Sequence, residues 1–209
     1  MTIVYVSEGD SLSVTGAGGF GGTAYCNTYA ASHAIKTISY TSKAVGGSNI
    51  SIMTARASGV DALIVPGALN ILSVLLGTND QVGAPDNFSS FLTALASYWD
   101  ARRTAGWNKL VGINIPPRSV GSGGNANARA TSRSTFTTWL GTGRIDALVD
   151  LTSDPTWGPD AAAENVSLYS DGVHPSQTGE DVWETILRPV MNRLLNAYGP
   201  TPISFKWTA

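Results

Sequence analysis

Charge is scarce in this 209-residue chain: 13 basic and 15 acidic residues make up 13% of it, for a formal net charge of −2. Neither sign forms a run, and a nucleic-acid or anionic-membrane partner would want a basic patch, so neither is expected. Cysteine is scarcer still. Cys26 stands alone, which excludes an internal disulfide and any Cys-rich metal site. The two histidines, His33 and His174, are too few for a His-rich metal centre, and no metal or cofactor is expected. Long apolar runs are missing too. None reaches the ~18 residues that span a bilayer, and the longest candidate, Val60 to Leu76, is broken by Pro66-Gly67 and Asn70. Ile3 to Val6 is too short for the apolar stretch of a signal peptide. The chain therefore reads as cytoplasmic by default, with an exported mature form as the other reading.

What is present suits one soluble domain. Hydrophobic residues make 43% of the chain, and this length buries a full core without disulfide or metal. The domain is expected over 1–199, followed by a Pro-interrupted tail, 200–209, with Phe205 and Trp207 packing back.

Short apolar runs alternate with amphipathic segments. Strands are expected at Ile3 to Val6, Lys36 to Tyr40, Asn70 to Leu76, Leu110 to Ile115 and Ile145 to Leu151. Helices are expected at about Thr23 to Ala34, Ser51 to Ile64 with a bend near Gly59, Asp86 to Arg103, and Asn127 to Leu140. The closing helix, Pro175 to Tyr198, would start on its proline, carry Val182, Ile186 and Leu194 on one face, and kink at Pro189. Ser119 to Asn127 and Thr152 to Ser170 read as polar loops. This alternation implies a parallel sheet with helices on both faces. In such sheets the functional crevice lies beyond the carboxyl ends of the strands.

Four segments lie where that crevice must be. Gly9-Asp10-Ser11-Leu12 follows the first strand and can aim the Ser11 hydroxyl at a reacting carbonyl. Asp171-Gly172-Val173-His174-Pro175 precedes the last helix. A serine needs a base, and the base needs an acceptor that fixes its tautomer. Asp171, three residues before His174, can bond Nδ1 and leave Nε2 for the serine. Gly77-Thr78-Asn79-Asp80 ends the strongest strand, and the Asn79 amide can donate to an oxyanion. Gly46-Gly47-Ser48 can bring a backbone N–H close to the same oxygen. Taken singly, each segment is an ordinary turn. His33, inside a predicted helix, reads as structural.

Together the four resemble the SGNH (GDSL-type) hydrolase family, whose blocks are a Gly-Asp-Ser segment, a glycine, a Gly-x-Asn-Asp segment and an Asp-x-x-His-Pro segment. The resemblance spans Gly9 to Pro175. It implies a three-layer α/β/α sandwich with a mostly parallel five-stranded sheet, flavodoxin-like, and a serine esterase. It also implies Ser11 as nucleophile, Asp171 and His174 as the rest of the triad, and an oxyanion hole from Ser11, Gly47 and Asn79, with Gly46 as rival to Gly47. The α/β-hydrolase elbow, Gly-x-Ser-x-Gly in mid-chain, does not fit, because Ser13 stands two after Ser11.

Small polar loops and no lid-like insertion favour a short, acetyl-like acyl group on a small-molecule or glycan carrier. Trp157 is either a sugar-stacking ring or a loop anchor. The competing classes are a catalytically silent carbohydrate-binding module, a thioesterase or phospholipase, and an FMN protein. The last would want a Ser/Thr-rich phosphate loop after the first strand, which is absent there.

Overall fold

Two strands are buried along their whole length, Ile3–Gly9 (β1) and Leu69–Leu75 (β3). Nearly continuous apolar runs make them central strands, covered on both faces. The computed structural model describes residues 2–14, 25–32, 37–82 and 88–197. The remaining strands are Ile38–Ser42 (β2), Lys109–Ile113 (β4) and Ala147–Val149 (β5), and all five run parallel in the order β2-β1-β3-β4-β5. The helices are Tyr25–Ser32 (α1), Ile50–Ala55 (α2), Ala57–Asp61 (α3), Phe88–Ala105 (α4), Ala126–Thr142 (α5) and Gln177–Asn196 (α6). This is the expected three-layer sandwich with flavodoxin-like strand order, and its switch point lies between β1 and β3.

Alternation along each strand divides the core in two. Ile3, Tyr5 and Ile71 face α1 and α6, packing with Tyr29, Trp183, Leu187, Met191 and Leu195. Val4, Val6, Leu72 and Val74 face the other layer, against Met53, Phe91, Leu95, Trp99 and Phe136. Burying one such side chain stabilises the fold by about 1.5–3 kcal/mol. Among the described residues, no helix is long and apolar enough to cross a membrane.

Several boundaries differ from expectation, each for a local reason. Ser176 caps α6 by accepting from the Gly179 amide, so Pro175 lies outside the helix. The buried face of α6 is Trp183, Leu187, Met191 and Leu195, while Val182, Ile186 and Leu194 flank it half-buried. Pro189 sits within α6 without ending it. The break between α2 and α3 falls at Arg56 (φ −99°, ψ 0°), and Gly59 lies inside α3. Thr152 to Ser170 is not an open loop. It holds 3₁₀ turns at Leu151–Ser153 and Asp160–Glu164 and places Trp157, Ala163 and Tyr169 in the core. His33, Asp86 and the 200–209 tail lie outside the described residues.

Candidate active site

β1 delivers Ser11 to the carboxyl edge of the sheet. Its last residue, Gly9, has φ +150°, and a Cβ there would stand 2.1 Å from the Leu75 carbonyl oxygen of β3. Only glycine lets the two strand ends close to this distance. Asp10 then caps a single 3₁₀ turn, Ser11–Ser13, its carboxylate accepting from the Leu12 amide at 3.0 Å. Asp10 is fully buried, and burial pushes its carboxyl up to about 7.

Ser11 Oγ lies 2.9 Å from His174 Nε2, and His174 Nδ1 lies 2.8 Å from Asp171 Oδ2. The second oxygen of Asp171 accepts the amides of Val173 (2.9 Å) and His174 (2.7 Å). Burial alone would raise this carboxyl, but these bonds from His174 and Val173 outweigh it and hold Asp171 below the usual carboxylate range. An ionised Asp171 keeps the ring proton on Nδ1 and leaves the Nε2 lone pair toward the serine hydroxyl. The three side chains form one hydrogen-bonded chain, Ser11 to His174 to Asp171, beyond the carboxyl end of β1.

The glycine and asparagine segments meet beside Ser11. The Ser48 amide donates to the Val45 carbonyl (3.2 Å), closing a β-turn with Gly46 and Gly47 at its centre. The φ of +74° at Gly47 is what that turn demands of its third residue. A Cβ on Gly46 would lie 4.0 Å from Ser11 Cβ, so the turn packs directly against Ser11. The Val45 amide docks the turn on the Gly9 carbonyl (3.1 Å). Asn79 reaches across from the end of β3, its Nδ2 donating to the Ser48 carbonyl at 2.9 Å. Beside it, the Asp80 carboxylate accepts the Ile50 amide at 3.1 Å, and burial raises its carboxyl.

Sequence reasoning missed Arg118, which follows β4 and Pro116-Pro117. Its Nη1 donates to the Thr78 carbonyl (3.1 Å) and its Nε to the Ser122 carbonyl, and its charge acts on both Asp10 and Asp171. A lone arginine after a strand carries no motif to announce it. The structure corrects the stacking role considered for Trp157. Its ring is fully buried, 4.5 Å from the Tyr169 ring and 5.0 Å from the Trp183 ring, so it anchors the segment and offers no face to a sugar. An open groove of about 690 Å³ along α5 is lined by Arg129 and Arg133 and by none of the residues above. Its two arginines are already paired, with Asp160 and Asp150.

No family model matches the sequence, and no curated protein does. Solved structures do match. A lipolytic protein of the G-D-S-L family from Veillonella parvula superposes with a TM-score of 0.70 at 14% identity, over 92% of this chain and 100% of its own. A psychrotrophic esterase from Pseudoalteromonas sp., seen inhibited by monoethylphosphonate, gives 0.66 at 16% identity over 92% and 98%. An acetylxylan esterase from Geobacillus stearothermophilus gives 0.63 at 16% identity over 99% and 96%. The chain therefore has the three-layer α/β/α fold of the SGNH, or G-D-S-L, hydrolases.

Proposed function

We propose that the protein is a serine hydrolase that cleaves carboxylic esters through an acyl-serine intermediate. The observation that carries this reading is the relay itself, with Ser11 Oγ 2.9 Å from Nε2 and Asp171 2.8 Å from Nδ1. His174 takes the hydroxyl proton on Nε2 as Ser11 Oγ bonds to the ester carbonyl carbon. The oxyanion is held by the Ser11 amide, the Asn79 side chain and an amide of the glycine turn, Gly47 by family pattern with Gly46 as the alternative. Collapse expels the alcohol, which takes the proton from Nε2. Water, deprotonated by the same nitrogen, then releases the acid and restores Ser11.

The substrate class proposed is a short acyl group, acetyl-like, on a small-molecule or glycan carrier. Support comes from the small polar segment after β4 and from the fold shared with an acetylxylan esterase. The buried Trp157 removes one argument for a sugar carrier but leaves the acyl argument standing. The test is turnover of p-nitrophenyl esters from acetyl to dodecanoyl, with Ser11→Ala as control. Turnover falling with chain length, and abolished in Ser11→Ala, is the expected result. Unchanged turnover in Ser11→Ala would refute the nucleophile, and a maximum at long chains would refute the short-acyl preference.

A further inference from the structure

Ser48 is the point at which the two halves of the oxyanion hole meet. The residue is fully buried. Its amide and its hydroxyl both donate to the Val45 carbonyl, at 3.2 Å and 2.6 Å, which fixes the turn that presents Gly46 and Gly47. Its carbonyl accepts one N–H of the Asn79 amide at 2.9 Å, which leaves the amide's second N–H for another acceptor. Its hydroxyl oxygen in turn accepts Arg56 Nη1 at 3.0 Å. Arg56 sits where α2 ends and α3 begins, and this break sets the arginine apart from either helix. Burial raises the Glu8 carboxyl, and the Arg56 guanidinium opposes that rise in part.

We propose that Ser48 and Arg56 are positioning residues for the oxyanion hole, Arg56 clamping Ser48 and Ser48 setting the height of both the glycine turn and the Asn79 amide. The inference rests on the ester-hydrolase reading above. Neither residue touches the reacting atoms. Their effect is transmitted through donor geometry, because an oxyanion donor works only within about 2.7–3.1 Å of the developing charge. Tolerances of this order come from the groups behind the donors.

A double-mutant cycle on p-nitrophenyl acetate hydrolysis tests it. Arg56→Met is expected to lower kcat roughly ten- to a hundredfold with KM changed less than about twofold, the signature of an interaction made only in the transition state. In an Asn79→Ala background the same substitution is expected to cost a several-fold smaller factor in kcat, because one of the two donors it positions is gone and only the glycine turn remains to be displaced. Arg56→Lys, which keeps a cationic donor, should recover most of the loss. Ser48→Ala, a smaller change that leaves the carbonyl in place, should reproduce the fall in kcat and the non-additivity with Asn79→Ala. Equal losses with and without Asn79 overturn the positioning role while leaving the hydrolase reading intact. A parent protein without Ser11-dependent turnover, and without Ser11 labelling by a fluorophosphonate, overturns both.

Discussion

Ser11 and His174 stand 163 positions apart, yet Ser11 Oγ and His174 Nε2 are 2.9 Å from each other. The first brings the end of β1, the second the loop that leads into α6, and the α1–α6 layer holds those elements together. The separation suits a hydroxyl proton passing directly to the ring.

Asp171→Asn should lower kcat for p-nitrophenyl acetate by about 10⁴, the loss the same change causes in a serine-protease triad. The amide still fits between the Val173 and His174 amides, but it no longer favours the Nδ1 proton. Because Asp171 is held below the usual carboxylate range, it stays ionised as pH falls, and the acidic limb of the rate profile belongs to another group. A drop smaller than tenfold in steady-state kcat would contradict the relay.

Asn79→Ala should reduce kcat by about 10²–10³ and leave KM within a few-fold, as the loss of one oxyanion donor does. Stopped-flow measurement of the acylation step separates this from slower deacylation. An unchanged acylation rate would exclude Asn79 from the oxyanion hole.

The fold was legible where buried strands were also apolar. The apolar runs of β1 and β3 marked both from sequence, but the expected β1 stopped at Val6 because Ser7, Glu8 and Gly9, although buried, are not apolar. β2 is an edge strand of Ser, Thr and Tyr, half-buried, and its expected position was two residues early. In the closing segment, Ile145 lies before the ladder and Leu151 opens a 3₁₀ turn, so β5 shrank from both ends. The candidate site showed itself through residue types that chemistry singles out, such as Ser11, Asn79, Asp171 and His174. Ser48, Arg56 and Arg118 did not, because their roles depend on which carbonyl or hydroxyl they reach, and local sequence does not encode that. Trp157 was ambiguous for the opposite reason: a tryptophan among polar residues marks a binding face or an anchor equally well.

Trp157→Ala should destabilise the fold by about 3–5 kcal/mol, since it empties the space between Tyr169 and Trp183. Trp157→Phe should cost less and leave KM for acetylated sugars unchanged. Urea denaturation and a KM comparison check the two halves, and a raised KM with unaltered stability would return the ring to the substrate.

Glu8→Gln should flatten the pH dependence of stability. Glu8 is buried beneath Tyr98, whose hydroxyl donates to it, and burial pushes its carboxyl from 4.5 up to about 7. Below pH 4.5 both folded and unfolded chains hold the proton, and there is no penalty. As pH rises toward 7 only the unfolded chain releases it, so stability falls, by on the order of 3 kcal/mol once the penalty is complete. The glutamine variant should escape this loss and be more stable than the parent at pH 8, with the two converging near pH 4. Asp10, also raised to about 7, keeps its own share of the slope in both proteins. Guanidinium melts at pH 4, 6 and 8 measure the difference, and a parent stability that rises between pH 5 and 8 would show Glu8 ionised in the fold.

The relay draws its first member from the end of the first strand and its last from just before the final helix. During synthesis Ser11 is therefore made 163 residues before His174. At about 5–20 residues per second, the intervening chain takes roughly 10–30 s to follow. If His174 is its base, Ser11 is an ordinary alcohol throughout that interval. On the ester-hydrolase reading, activity requires the segment before α6 to reach the end of β1, so turnover would report that these two parts of the chain have met.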